Sequence, residues 1–145
     1  MRGLIQRVSS ASVSINGERH ASIEQGILLL LGIEAADGIE QSEKLISKVL
    51  NYRIFADAQG RMNRSLKDID GELLVVSQFT LVADTKKGLR PGFSKAAAPD
   101  VAESCYGDFL QRLKTHYPRA VSGVFGADMQ VSLCNDGPVT FLLDI

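Results

Sequence analysis

Ile27-Leu28-Leu29-Leu30-Leu31-Gly32-Ile33 is the longest apolar run in the chain. It falls far short of the roughly 18–20 apolar residues that span a bilayer. Its length suits a buried β-strand. Before it the chain alternates. Ile5, Arg7, Ala11, Val13 and Ile15 share one parity, and Ser10, Ser12 and Ser14 share the other. That period of two predicts a half-buried strand, bent near Ser9. Asn16-Gly17 is a strong hairpin signal, so residues 18–23 return antiparallel. After the apolar run the period changes. Leu45, Ile46, Val49 and Leu50 mark one helical face within residues 39–54, with Glu40, Glu43, Lys44 and Lys48 largely elsewhere.

The same reading continues to the C-terminus. Residues 57–71 are polar and hold two glycines, which predicts a loop. Residues 73–81 are apolar and β-branched, which predicts a strand. Residues 84–99 carry Gly88, Pro91, Gly92 and Pro99, an irregular loop long enough to suggest function. Val101, Ala102, Cys105, Tyr106, Phe109, Leu110 and Leu113 recur at helical spacing, with Asp100 and Glu103 placed for a capping box. Two final strands are expected, residues 129–134 and 139–143, joined by a turn at Gly137-Pro138. The order ββ-(βα)2-β(3) gives one α+β domain, residues 1–145, with two helices on one side of a sheet.

Composition narrows the class. With 45% hydrophobic and 23% charged residues, the chain matches a soluble globular domain. No basic segment followed by an apolar one and a small-residue cleavage site opens the sequence, so no signal peptide and a cytoplasmic location are expected. Cys105 and Cys134 lack metal-type spacing and are expected to be reduced core or near-core thiols. The net charge of −1 argues against coating long nucleic acids. It leaves room for a protein that grips only an RNA end. Lys86, Lys87, Arg90 and Lys95 form a local basic cluster, and Arg61, Arg64 and Lys67 a second one; solvated loop charge is the plain reading of both.

Conventional chemistry finds little support. Only His20 and His116 are present, on a hairpin strand and past a helix end. Both are expected at the surface, and neither is placed for a Ser–His–Asp triad. There is no H-x-x-H, C-x-x-C or acidic metal cluster, and no phosphate-binding glycine motif. Two segments remain. Ser77-Gln78-Phe79-Thr80-Leu81 closes the expected 73–81 strand, with Gln78 and Thr80 on one face and Ser77 and Phe79 on the other. Capping of the strand end would explain it without function. Asn135-Asp136-Gly137-Pro138-Val139-Thr140 joins ordinary turn chemistry to a Gly-Pro pair. Glycine reaches backbone angles closed to other residues. Proline fixes φ and gives up its N–H.

Together with Leu4-Ile5-Gln6-Arg7-Val8, these segments resemble the signature motifs of the D-aminoacyl-tRNA deacylases of bacterial type, and the resemblance covers essentially the whole chain. It implies a mixed, strongly curved, barrel-like sheet. It implies hydrolysis of the ester joining a D-amino acid to the terminal ribose of tRNA, with glycyl-tRNA as a further substrate. It also implies a homodimer with active sites at the subunit interface. There a cis Gly137-Pro138 enters the partner's pocket and rejects the L enantiomer. No metal or organic cofactor is implied. Ser77, Gln78, Phe79 and Thr80 would form the catalytic segment, with Phe79 and Thr80 offering backbone N–H groups to an oxyanion.

Arg7 has the parity of the apolar face, where an unpaired arginine is costly. Its fixed donors suit backbone carbonyls, and the resemblance makes it the brace of the Gly-Pro segment. An edge arginine reaching solvent is the alternative. Phe125 and Met129 resemble the segment that packs on the terminal adenine, with core packing as the rival. Two other functions stay open on the residues alone. One is a Thr80-nucleophile esterase or amidase acting on other small acyl substrates. The other is a non-catalytic dimeric module that binds RNA 3′ ends.

Overall fold

The computed structural model describes residues 1–86 and 88–145. Its strands are β1 (Arg2–Ile15), β2 (Glu18–Ile23), β3 (Gly26–Gly32), β4 (Phe55–Ala56), β5 (Met62–Arg64), β6 (Glu72–Ser77), β7 (Ala120–Ser122) and β8 (Gln130–Asp144). Two helices, α1 (Ile39–Asn51) and α2 (Pro99–His116), and a 3-10 turn (Phe79–Val82) complete it. The main sheet runs β2-β1-β3-β6-β7, and β8 pairs with the other edge of β1. The β3–β6 and β6–β7 pairs are parallel and the rest antiparallel. This is the expected mixed, strongly curved α+β fold. No helix among the described residues is long and apolar enough to cross a membrane.

The apolar run of β3 is continuous because both its faces are covered. Ile27, Leu29 and Leu31 join Leu73 and Val75 in a core beneath the helices. Leu28 joins Leu74 and Val76 in a second core inside the curved sheet. α1 adds Leu45, Ile46, Val49 and Leu50 to the first core, and α2 adds Tyr106, Phe109 and Leu113. Burial raises the Tyr106 phenol to about 12. Its hydroxyl donates to Val75 O at 3.2 Å, so the helix is hydrogen-bonded to the strand that carries the site.

Several expectations are corrected. β1 does not keep one parity. Its register with β8 shifts on both sides of Val8, so Ile5 faces the helix-side core while Val8, Ala11 and Val13 face the inner one. Bulges of this kind bend a strand and flip its faces. α1 ends at Asn51, three residues earlier than its apolar pattern suggests, and Ile54 enters the core from an extended segment. α2 starts at Pro99, not at an Asp100 cap. Proline at the first position has no N–H to satisfy, and Asp100 falls in the first turn, where the helix dipole favours it.

The 57–71 loop contains β5, which forms a small hairpin with β4. Asp57 organises it by accepting from Asn63 Nδ2 and from the N–H groups of Gln59 and Arg61. Those bonds, the Asn63 one foremost, hold its carboxyl below the ordinary value. β6 stops at Ser77 instead of reaching Leu81. Gln78 N–H makes the last bond along it, to Leu31 O at 2.7 Å, and the chain then coils into the 3-10 turn. The two C-terminal strands expected around Gly137-Pro138 are one strand, β8, that carries the pair as an irregularity.

Candidate functional site

The end of β6 opens into a cavity of about 460 Å³. Val76, Ala97, Ala102, Phe125, Met129 and Val131 give it an apolar lining, and Ser77, Gln78 and Phe79 stand at its edge. Phe125 packs on Tyr106 with ring centroids 5.9 Å apart. A Cβ at Gly123 would lie 2.5 Å from Met129 Sδ, so glycine there makes room for the methionine. Phe79 is 60% exposed and packs on Phe93 at 5.1 Å.

The 3-10 turn beside the cavity sets the chemistry on offer. Phe79 and Thr80 occupy its first two positions, whose N–H groups have no acceptor within the turn. Neither N–H has a hydrogen-bond partner among the described residues. Thr80 is exposed and lies outside the cavity lining. Its Oγ1 accepts from Gln78 Nε2 at 2.5 Å, and an amide N–H cannot withdraw a proton from a hydroxyl. The face pairing expected for a strand does not apply, because residues 78–82 are not strand. Arg2 Nη1 donates to Leu81 O at 3.3 Å and ties the turn to β1.

The second constellation lies on β8. β1 pairs Val8 with Asn135 and Gln6 with Thr140, leaving residues 136–139 unpaired opposite Arg7. The Gly137–Pro138 peptide is cis and Gly137 has φ +140°. Arg7 fills the space beneath. Its Nε donates to Asp136 O at 2.9 Å and lies 3.3 Å from Asp136 Oδ2, while Nη1 donates to Ile54 O at 2.7 Å. Asn135 holds the other side: Val139 N–H donates to its Oδ1 at 2.8 Å, and its Nδ2 donates to Thr140 Oγ1 at 2.8 Å. Gln6 Nε2 also reaches Thr140 Oγ1, at 3.3 Å.

Asn135, Thr140 and Gln6 were not singled out in the sequence. The available signal was an Asn four residues before a backbone N–H displaced from the ladder. Arg7 side-chain exposure is only 15%. Arg7→Ala would leave two carbonyls and the Asp136 carboxylate without their donor. An expected loss of about 2–3 kcal/mol follows from hydrogen bonds to a charged group, read as a lower urea midpoint. An unchanged midpoint would show that the guanidinium is not holding the segment.

Within one chain the two constellations are apart. Arg7 pairs with Ile27 and Ile27 with Leu73, whereas the cavity edge begins at Ser77, four residues further along β6. That is about 13 Å along the strand and about 14 Å across three strand spacings. Ser77, Gln78, Phe79, Phe125 and Met129 meet at the cavity. Thr80 joins them through Gln78, and Arg7, Gly137 and Pro138 meet at the bulge.

The other candidate residues lie elsewhere. His20 is exposed on β2. His116 Nε2 sits 3.3 Å from Glu43. Cys105 is half-buried, its thiol raised by burial. Cys134 is exposed on β8, not near the core as its apolar neighbours suggested. No group of three His, Cys, Asp or Glu residues among those described is placed to hold a metal. Of the basic clusters, Lys87 lies outside the described residues.

Comparison with known proteins gives consistent results. The profile of the D-Tyr-tRNA(Tyr) deacylase family matches residues 4–144. The chain is 56% identical to the D-aminoacyl-tRNA deacylase of Stutzerimonas stutzeri (strain A1501), over 99% of each chain. It is 57% identical to that of Pseudoalteromonas translucida (strain TAC 125), over 100% of each. Among solved structures, the c-Myc DNA unwinding element binding protein superposes with a TM-score of 0.96 at 41% identity, covering 100% of this chain and 99% of that one. A probable eukaryotic D-amino acid tRNA deacylase superposes at 0.87 over 99% and 98%, and at 17% identity that likeness concerns the fold.

Proposed function

Because the chain belongs to the D-Tyr-tRNA(Tyr) deacylase family, we propose that it is a hydrolase that cleaves the ester bond of D-aminoacyl-tRNA, releasing the free D-amino acid and tRNA. One observation carries the reading beyond family membership: two backbone N–H groups without partners, at Phe79 and Thr80, beside an apolar cavity. The cavity takes the terminal adenine, with Phe125 and Met129 against its faces. The ester carbonyl then lies at the edge, where the two N–H groups stabilise the tetrahedral oxyanion. The ester is already activated, so modest catalysis suffices. The free hydroxyl of the terminal ribose orients the attacking water, which accounts for a site without a side-chain base.

Chirality is set by exclusion. The protein works as a homodimer, and Gly137 and Pro138 of the partner subunit enter the cavity. Their carbonyls accept hydrogen bonds from the substrate's α-ammonium group and leave no room for an L side chain. A D side chain points outward, so many are accepted. Glycine has no side chain to exclude, so glycyl-tRNA is also a substrate. Arg7 and Asn135 hold the inserted segment in shape from within its own chain. The setting is the cytoplasm, where aminoacyl-tRNA is consumed.

The reading is tested by release of tyrosine from charged tRNA. D-tyrosyl-tRNA should be hydrolysed and L-tyrosyl-tRNA left nearly untouched. Equal release of both would remove the chiral gate. Release of neither, with tRNA still bound, would favour a binding module. Thr80→Ala separates this mechanism from a threonine nucleophile. The backbone mechanism predicts activity within roughly tenfold of the parent, whereas deleting a covalent nucleophile costs roughly 10⁴–10⁶-fold. Single-turnover deacylation reads the difference.

A further inference from the structure

We propose that the loop between the 3-10 turn and α2 grips the phosphate backbone of the tRNA acceptor end, with Lys86, Arg90 and Lys95 as the cations. The inference rests on the reading of the cavity as an adenosine-ester site, and names what holds the rest of the substrate. The loop belongs to the cavity at both ends. It leaves the 3-10 turn at Ala83, and Ala96, Ala97 and Pro99 line the cavity where it rejoins α2. A terminal nucleoside seated there sends its preceding phosphates out over this edge.

The root of the loop is fixed. Asp84 and Gly92 exchange two backbone hydrogen bonds of 2.7 and 2.9 Å. Ala35 N–H donates to Lys95 O at 3.1 Å and Ala97 N–H to Ile33 O at 3.2 Å. Phe93 packs on Phe79, so the loop and the turn bearing the N–H groups are held together.

Charge singles the loop out. Residues 84–98 contain one acid, Asp84, and its Oδ1 accepts the Lys86 N–H. Lys86, Arg90 and Lys95 are exposed, and none forms an ion pair among the described residues. The 57–71 loop differs. Its Arg61, Arg64 and Lys67 share the segment with Asp57, Asp68 and Asp70, and Arg64 Nη2 is spent on Asp68 O. In a chain of net charge −1, an uncompensated cluster beside an RNA-ester site is where polyanion attraction concentrates.

The test uses the full-length protein, uncharged tRNA, D-tyrosyl-tRNA and the small ester D-tyrosyl-adenosine. A triple variant, Lys86→Ala with Arg90→Ala and Lys95→Ala, is compared with Lys48→Ala, Arg61→Ala and Lys67→Ala, which changes net charge equally. Fluorescence anisotropy across a salt series reads tRNA affinity without requiring catalysis. Each lost phosphate contact flattens the plot of log affinity against log salt by about 0.7–0.9. The loop variant should therefore flatten it by about 2. It should bind tRNA and hydrolyse D-tyrosyl-tRNA at least about tenfold more weakly at low salt, yet cleave D-tyrosyl-adenosine like the parent. The control variant should keep the parent slope. A loop variant with the parent's salt slope overturns the proposal, as does equal loss in both variants. A parent that binds tRNA through this loop but hydrolyses neither ester would leave the grip standing and remove the hydrolase.

Discussion

Gly137→Ala is expected to lower deacylation of D-tyrosyl-tRNA by at least about 100-fold while leaving the fold intact. Gly137 sits at φ +140°, a region that side-chain-bearing residues enter at a cost of about 1–3 kcal/mol. An added Cβ would also lie 2.6 Å from Val139 Cγ2 and 3.1 Å from both Val139 N and Arg7 Nη2. The valine methyl can rotate; the backbone nitrogen and the braced guanidinium cannot. The segment must therefore shift, and misplacing a positioning group by about 1 Å costs on the order of 100-fold. The bulge faces solvent within its own chain, with Gly137 and Pro138 exposed, so the circular dichroism spectrum should match the parent. Parent-like activity and enantioselectivity in a folded Gly137→Ala protein would take this segment out of the mechanism.

The second large effect concerns the oxyanion. Phe79→Pro deletes one of the two proposed donors. Proline fits the first position of a helical turn because that N–H has no internal partner. Gln78 before it has φ −142° and ψ 80°, an extended conformation that a following proline tolerates. Phe79→Ala is the companion variant, since it removes the ring that packs on Phe93 but keeps the N–H. Losing an oxyanion donor costs about 10²–10³-fold in rate, so Phe79→Pro should fall that far below Phe79→Ala in single-turnover deacylation. Equal rates in the two variants would mean that the Phe79 N–H does not meet the developing charge.

Much of this architecture was legible in the sequence because local signals agreed with the fold. The run through Ile27–Ile33 had to be a buried strand, the 45–50 stripe had to face a core, and Asn16-Gly17 had to turn; φ of 52° and 81° at these two residues shows why. The misreadings arose where tertiary pairing overrode periodicity. β8 continues through Gly137 and Pro138 because β1 resumes pairing at Gln6 opposite Thr140, and no local signal reports that a partner strand waits on the far side of a break. β6 ends early because the Gln78 N–H goes to Leu31, a contact across the sheet, although Phe79 and Leu81 look like strand residues. Arg7 was conspicuous as a charge at an apolar parity. Its partner Asn135 was not, since an asparagine before Asp-Gly-Pro reads equally well as a simple turn.

The central proposal is that an enantioselective site joins the cavity of one copy to the Gly137–Pro138 segment of another, two features that lie about 13 Å along the sheet and three strands across it within a single chain. Mixed dimers test it directly. Phe79→Pro damages only the cavity and Gly137→Ala only the inserted segment. The two chains, differently tagged, are co-expressed and the heterodimer is isolated. If the segment acts across the interface, one site of the heterodimer receives both lesions and the other receives neither. Activity on D-tyrosyl-tRNA should then recover to about half that of the parent dimer, with L-tyrosyl-tRNA still refused. If each segment serves its own chain's cavity, both sites carry one lesion, and a heterodimer no more active than either variant alone would contradict the account.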